Sequence, residues 1–474
     1  MRLRVGAALA LLSLAIEGIV AHAQTREVAK LFEQNCAGCH GADLKGGQTD
    51  SLLDDVWKHG NGDDETLFRI IRDGDEPNGM PPMKGDLNDA EIRALVVFIR
   101  EKATEAKHAQ THFTKPGEDQ IVKSREHRFR LKTVVDGLST PWSLAWLPDG
   151  RMLVTELAGA LRVVEGGKLK PEPVTGTPCV RAKGQGGLME VALHPNYASN
   201  GWIYLAYTEA GTNSETWDGG MTTVVRGRLK DHRWTEEQTI WRAPLWSFRD
   251  GGVHFGCRLV FDDAGHLFFT HGERGRMHDA QDLSRPNGKV HRVFDDGRIP
   301  PDNPFVGASN AIASIWSYGH RNPQGLDRHP ITGELWSTEH GPRGGDELNL
   351  VQKGRNYGWP IVTHGMNYNG TPITALTAKE GLEPPVIHWT PSIAVCSARF
   401  YRGDKFPNWK NQLFVTALAQ EELRRLVLDG HRVVEQEVLF KNIGRVRDVA
   451  SGPDGLLYVV LNKPDKVARL EPAA

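Results

Sequence analysis

Trp142-Ser-Leu-Ala-Trp-Leu-Pro-Asp-Gly-Arg-Met-Leu-Val-Thr155 sets an apolar run, a Pro-Asp-Gly turn and an alternating apolar strand in succession. The same grammar returns five more times. It is found at Leu188–Asn196 with Trp202–Ala206, at Arg258–Thr270, at Gln324–Ser337, at Ser397–Tyr401 with Asn411–Val415, and at Val446–Val459. Neighbouring copies begin roughly 45 to 75 residues apart, enough for four short strands and a long loop, and no long helical pattern interrupts them. Six such units predict an all-β, six-bladed β-propeller over residues 130–474, in which each blade covers its neighbour's flank and only short edges remain. A β-sandwich or two smaller β domains is the alternative. Six evenly phrased copies favour the ring.

The N-terminal region is different in kind. Met1 to Ala23 carries Arg2 and Arg4, an apolar run from Val5 to Leu14, an apolar tail through Val20, and Ala21-His22-Ala23 before Gln24. This is the pattern of a secretory signal peptide cleaved after Ala23, and it predicts a periplasmic or secreted protein. The apolar core is too short for a membrane span and is interrupted by Glu17, and no later segment reaches 18 unbroken apolar residues.

Cys36-Ala37-Gly38-Cys39-His40 follows. Two thiols at C-x-x-C spacing can each add to one vinyl group of a porphyrin, and the adjoining imidazole falls beneath the iron. Cys36 and Cys39 are therefore the expected attachment points of haem c, with His40 as proximal ligand. No second C-x-x-C completes a four-ligand zinc site. Met80, in Gly79-Met80-Pro81-Pro82-Met83, is the expected sixth ligand, and Met83 is its competitor. A thioether favours ferrous iron and suits an electron acceptor. Asn88 is an expected N-cap, followed by Ile92, Leu95, Val96, Phe98 and Ile99 at helical spacing. Residues 24–104 thus resemble a small, all-α class I cytochrome c.

From 105 to 129 the composition turns to charge and reads as a linker between two domains expected to fold separately and to be able to move relative to one another. Across the chain 57 basic side chains stand against 59 acidic ones, which leaves no field to attract nucleic acid or an anionic membrane. Beyond the haem pair, Cys179, Cys257 and Cys396 remain, an odd number. One bridged pair and three unbridged thiols are both open.

Chemistry concentrates in four loop segments: 252–258 around His254, 318–325 with His320, Arg321 and Asn322, 339–347 running on to 356–360, and 444–448 with Arg445 and Arg447. A histidine of near-neutral pKa can take a proton from an alcohol. Paired arginines can grip carboxylates bidentately. Backbone carbonyls with a glutamate can hold Ca²⁺. Together they suit a redox site for an anionic cofactor.

These motifs, in this order and on six blades, resemble the soluble pyrroloquinoline quinone (PQQ)-dependent glucose/sorbosone dehydrogenases, and more closely their aldose sugar dehydrogenase branch. The resemblance implies PQQ and Ca²⁺ as cofactors. It implies His254 as catalytic base, Gln185 as substrate contact, Arg321 and Asn322 facing the quinone, and Arg445 with Arg447 on the cofactor carboxylates. The carbonyls of Gly341 and Pro342 would hold the cofactor calcium, and Glu347 with Tyr357 a structural one. Two positions depart from the glucose dehydrogenases of the family. Ala419 stands where they carry a lysine against a cofactor carboxylate, with Gln420 and Arg424 as possible substitutes, and Val253 replaces an aspartate before the histidine.

The implied activity is oxidation of an aldose at C1 to a lactone, with electrons passed to the chain's own haem and on to another cytochrome or a terminal oxidase. A different alcohol or a sorbosone-like substrate is an alternative. So is a non-catalytic binding propeller with an electron-carrier cytochrome.

Overall fold

A computed structural model describes residues 26–54, 56–110, 115–211 and 219–473; the expected signal peptide lies outside them. Six antiparallel sheets form the blades. Their innermost strands are Pro141–Trp146, Leu188–Leu193, Leu259–Phe261, Pro323–Arg328, Val395–Phe400 and Arg445–Ser451. In the fifth blade the innermost strand, Val395–Phe400, reads as a nearly continuous buried run, whereas the outermost, Arg432–Phe440, alternates exposed and half-buried positions over most of its length.

The ring is closed by sequence-distant partners. Arg128–Val135 lies beside the C-terminal strand Lys466–Pro472, with Leu131 opposite Leu470 and Phe129 opposite Pro472. Val122–Lys123 adds a short strand to the same blade. Part of the stretch expected as a linker therefore belongs to the sixth sheet. Cys257 and Cys396 are buried, unbridged thiols and Cys179 is an exposed one.

At the axis sits Arg258, fully buried. Its Nη1 lies 2.6 Å from Glu190 in the second blade and 3.0 Å from Asp448 in the sixth. Its Nε donates to the Gln324 carbonyl of the fourth blade at 2.7 Å, and its Nη2 to the Arg447 carbonyl at 3.1 Å. Trp142 of the first blade lies under the guanidinium, 4.2 Å from the ring centroid, and Arg399 of the fifth blade shares Glu190. Burial opposes the charge, and Asp448 and Glu190 more than offset this, so the Arg258 pKa is raised.

The N-terminal domain is helical: α1 (Val28–Asn35), α2 (Ala37–His40), α3 (Asp64–Asp73) and α4 (Asp89–Gln110). A capping box starts α4. The Asn88 amide donates to Glu91 and the Glu91 amide to the Asn88 side chain, each at 3.0 Å. Phe32 of α1 meets Phe98 of α4 at 5.5 Å between ring centroids. The helix runs on to Gln110, past the expected domain end.

Replacing Arg258 leaves Glu190 and Asp448 buried without their shared counter-charge. Arg258→Met is expected to lower the unfolding free energy by about 3–5 kcal/mol, as read from tryptophan fluorescence in a guanidinium titration. A loss below about 1 kcal/mol, the size of an exposed pair, would remove the network from the fold's foundations.

Candidate functional site

Two sites emerge. In the N-terminal domain, Phe32, Leu67, Ile71, Leu95 and Ile99 wall an apolar cavity of about 220 Å³ into which Cys36, Cys39, His40, Met80 and Met83 also open. The Thr49 hydroxyl engages His40 Nδ1 at 3.0 Å, which leaves Nε2 as the nitrogen for a metal. Burial lowers the His40 pKa, and a neutral imidazole is the ligating form. Burial pushes the Cys36 thiol up to about 11, helped by Cys39. Met80 is pinned by paired main-chain bonds with Asp75, of 2.8 and 3.1 Å, while the Met83 amide donates to Ile71. An apolar cavity carrying two thiols, a held imidazole and a thioether fits a covalently attached haem. Both methionines line it, so they remain competing sixth ligands.

The second site lies on the propeller loops near the axis. His254 has φ 54°, a conformation that a non-glycine residue adopts only when its surroundings enforce it. The enforcement is visible. The His254 amide donates to the Gln185 side-chain oxygen at 2.8 Å, and the Gly256 amide to Asn322 Oδ1 at 3.2 Å. A Cβ on Gly272 would stand 2.3 Å from the His254 carbonyl, so only glycine lets the two loops approach. Asn322 thus holds the histidine loop, whatever else it faces.

His254 Nδ1 is bonded to Glu273. Sequence reading missed this carboxylate, which supplies the acidic neighbour absent at Val253. The glutamate is buried; its Oε1 also accepts from the Gly275 amide, and its own amide donates to the Arg321 carbonyl. The segment His271-Gly272-Glu273-Arg274-Gly275, an acid among glycines just after a strand, was the available signal. Burial lowers the His254 pKa, Glu273 works in the opposite direction, and Arg321 adds to the lowering.

Arg321, Arg445, Arg447 and His254 all bear on His340, whose pKa is held well below its ordinary value by burial and then by Arg321 and Arg447. The Arg447 guanidinium meets Gln324 Oε1, the Cys396 sulfur and the Trp142 ring. Arg321 Nε, Arg447 Nε and His340 Nε2 are buried without a hydrogen-bond partner. Burial and then Arg447 lower the Arg445 pKa. A cluster of cations with orphaned donors suits a ligand bearing several carboxylates.

Arg321 Nη1 donates to the carbonyls of His340 and Gly341 at 3.1 and 2.6 Å. The Gly341 amide donates to buried Asp346, whose pKa burial raises to about 6. Main-chain carbonyls beside a buried carboxylate suit a hard cation, and a carbonyl keeps a second lone pair for it. Glu347, pushed up to about 8 by burial and by Glu339, shares the Asn349 amide with Glu339. This pairing of carboxylates also suits a cation. No hydrogen bond among the described residues joins Glu347 to Tyr357, whose ring stacks on His320 at 4.6 Å. The proposed substitutes for the lysine at Ala419 are occupied: Arg424 pairs with Glu422, and Gln420 accepts from Lys441 at 3.2 Å.

A family model described as glucose/sorbosone dehydrogenase matches residues 138–469, and one described as cytochrome c oxidase, cbb3-type, subunit III matches residues 23–99. Aldose sugar dehydrogenase YliI of Escherichia coli strain K12 is 44% identical over 340 residues, spanning 70% of this chain and 90% of that protein. The crystal structure of the soluble Escherichia coli aldose sugar dehydrogenase in its apo form superposes with a TM-score of 0.68 at 41% identity, covering 73% of this chain and 100% of that one. The PQQ-bound aldose sugar dehydrogenase of Streptomyces coelicolor gives 0.58 at 27% identity, covering 72% and 98%. With a matching model over most of its length, the chain belongs to the glucose/sorbosone dehydrogenase family and carries a cytochrome c domain ahead of the propeller.

Proposed function

We propose that this protein is an exported quinohaemoprotein that oxidises aldose sugars at C1 to lactones with PQQ and Ca²⁺ and passes the electrons to its own c-type haem. The observation that carries the reading is the His254–Glu273 pair set beside Arg321, Arg445 and Arg447, the first and last of which carry orphaned donors. Bound PQQ would supply a two-electron acceptor for the C1 hydride, with Ca²⁺ polarising its oxygen.

The remaining work falls to side chains of this chain. His254 is neutral at pH 7 because burial disfavours its charged form, so Nε2 is open to the proton of the anomeric hydroxyl. Nδ1–H points at Glu273, which fixes the tautomer and stabilises the imidazolium once it forms. Gln185 spends its oxygen on the His254 amide and keeps its amide N–H groups for a sugar hydroxyl. Arg445 and Arg447 would hold cofactor carboxylates, and Arg321 would face the charge that develops on the quinone oxygen. Glu347 and the Tyr357 carbonyl would hold the structural calcium.

Reconstitution with PQQ and Ca²⁺ followed by an aldose panel should reduce the haem, read as its absorption change. Haem that dithionite reduces but no sugar does would sink the reading. His254→Ala should slow sugar-driven reduction by roughly 10²–10⁴-fold and leave dithionite reduction intact.

The acid limb of kcat/KM reports the free enzyme's base. Because the His254 pKa is lowered, that limb should lie below pH 6.5, with activity lost as the pH falls through it and the imidazole charges. Glu273 works to raise this pKa, so Glu273→Gln should move the limb to still lower pH while reducing kcat. A limb that stays in place would show that Glu273 does not act through His254.

Met80→Ala should change the haem's ligation spectrum and lower its potential without altering PQQ binding. If Met83→Ala does so instead, Met83 is the sixth ligand.

A further inference from the structure

The cytochrome domain rests on the loop that follows Gly341 and Pro342. Arg343 is the next residue, and its guanidinium holds Glu101 of α4 through three hydrogen bonds of 2.9, 3.0 and 2.8 Å. The Glu101 side chain is only 12% exposed, so this is a partly buried, forked contact rather than a loose surface pair. Gly344, at φ +84°, comes next; a Cβ on it would stand 3.1 Å from the Val97 side chain, one helical turn before Glu101.

Two further anchors lie a short way along the chain. Arg343 and Met366 exchange both main-chain hydrogen bonds at 2.9 Å, and the Met366 side chain, 1% exposed, is part of the cytochrome's own apolar core. The Gly370 carbonyl accepts from the Val28 amide at 2.9 Å. Val28 opens α1, whose N-cap Glu27 offers no side-chain acceptor, so a propeller carbonyl satisfies an amide that a helix start leaves unpaired. Between these anchors Tyr368 places its hydroxyl 3.5 Å from Arg321 Nη2.

The two faces of α4 are thus divided. Leu95 and Ile99 line the haem cavity, while Val97 and Glu101 meet the propeller loop. A helix with its side chains is about 10–12 Å across. One helix therefore separates the cavity from the loop of Gly341 and Pro342.

We infer that the segment 343–370 is a docking seam that holds the cytochrome as a fixed one-electron acceptor, with Glu101 and Met366 as positioning residues. The inference rests on the proposed sugar oxidation for its use, though not for its geometry. Each aldose gives up two electrons and two protons. The electrons reduce ferric haem to ferrous one at a time, a soluble one-electron acceptor reoxidises the haem between the two transfers, and the protons pass to solvent.

The test uses the full-length, haem-matured chain and compares wild type with Glu101→Gln and Met366→Ala. Hydrogen–deuterium exchange before quinone loading reads the seam itself. Exchange in peptides covering 28–35 and 97–101 should rise at least tenfold in the variants. After loading with PQQ and Ca²⁺, stopped-flow haem reduction by an aldose should slow at least tenfold, while phenazine-linked oxidation of the same sugar stays within twofold. The exchanged pair Glu101→Arg with Arg343→Glu should restore much of the haem reduction lost in Glu101→Gln. Equal exchange and equal haem reduction in wild type and variants would overturn the inference. If wild-type protein reduces the phenazine dye but never its haem, the internal-acceptor reading fails instead, and the exchange arm still decides whether the seam exists.

Discussion

Everything in the propeller turns on one buried guanidinium. Arg258 reaches Glu190, Asp448, the Gln324 and Arg447 carbonyls and the Trp142 ring, and through Glu190 it is tied to Arg399, so a single side chain touches or bridges all six blades. A buried charge of this kind is a weak contributor when compared with a well-packed apolar substitute, yet removing one partner is costly because the others are stranded. Its value here is registration. Six sheets that could slide past one another are pinned to a common axis.

The same pin organises the candidate site, because strand residues alternate in direction. Asp448 turns to Arg258, while the preceding Arg447 gives its carbonyl to Arg258 and its side chain to Gln324 and Cys396. Gln324 does likewise: its carbonyl accepts from Arg258 while its side chain meets the Gly256 carbonyl. Gly256 lies two residues from His254. The axis and the site are two faces of the same strand ends, so rigidity at the first is delivered directly to the second. The cost is visible in the arginines. Orphaned nitrogens on Arg321 and Arg447, and an Arg445 whose pKa is lowered by burial and then by Arg447, are features a stability-optimised interior would discard and an anion-binding one needs.

Local and periodic signals were legible in the sequence. The six repeated units became six blades, the C-x-x-C-H segment became a cavity wall, and Asn88 with Glu91 became a reciprocal cap. What stayed hidden were pairings between distant loops. Glu273 is 19 residues from His254, on a loop whose approach depends on Gly272 having no Cβ, and nothing in the spacing announces that. Arg258 reads as an ordinary residue at the head of a strand. The contacts of segment 343–370 with the cytochrome were hidden for a related reason: they are main-chain bonds, two glycines, one methionine and one ion pair, none of which carries a period.

The seam also changes the meaning of the segment around Gly341. Its amide is held by buried Asp346, its carbonyl accepts from Arg321, and two residues later Arg343 leaves the propeller to grip Glu101. In the proposed reading, the carbonyls that would hold the cofactor calcium and the guanidinium that seats the cytochrome are set by one backbone path. A tether alone would raise the local concentration of the haem domain and leave its orientation to chance. In that reading a shared loop fixes orientation as well.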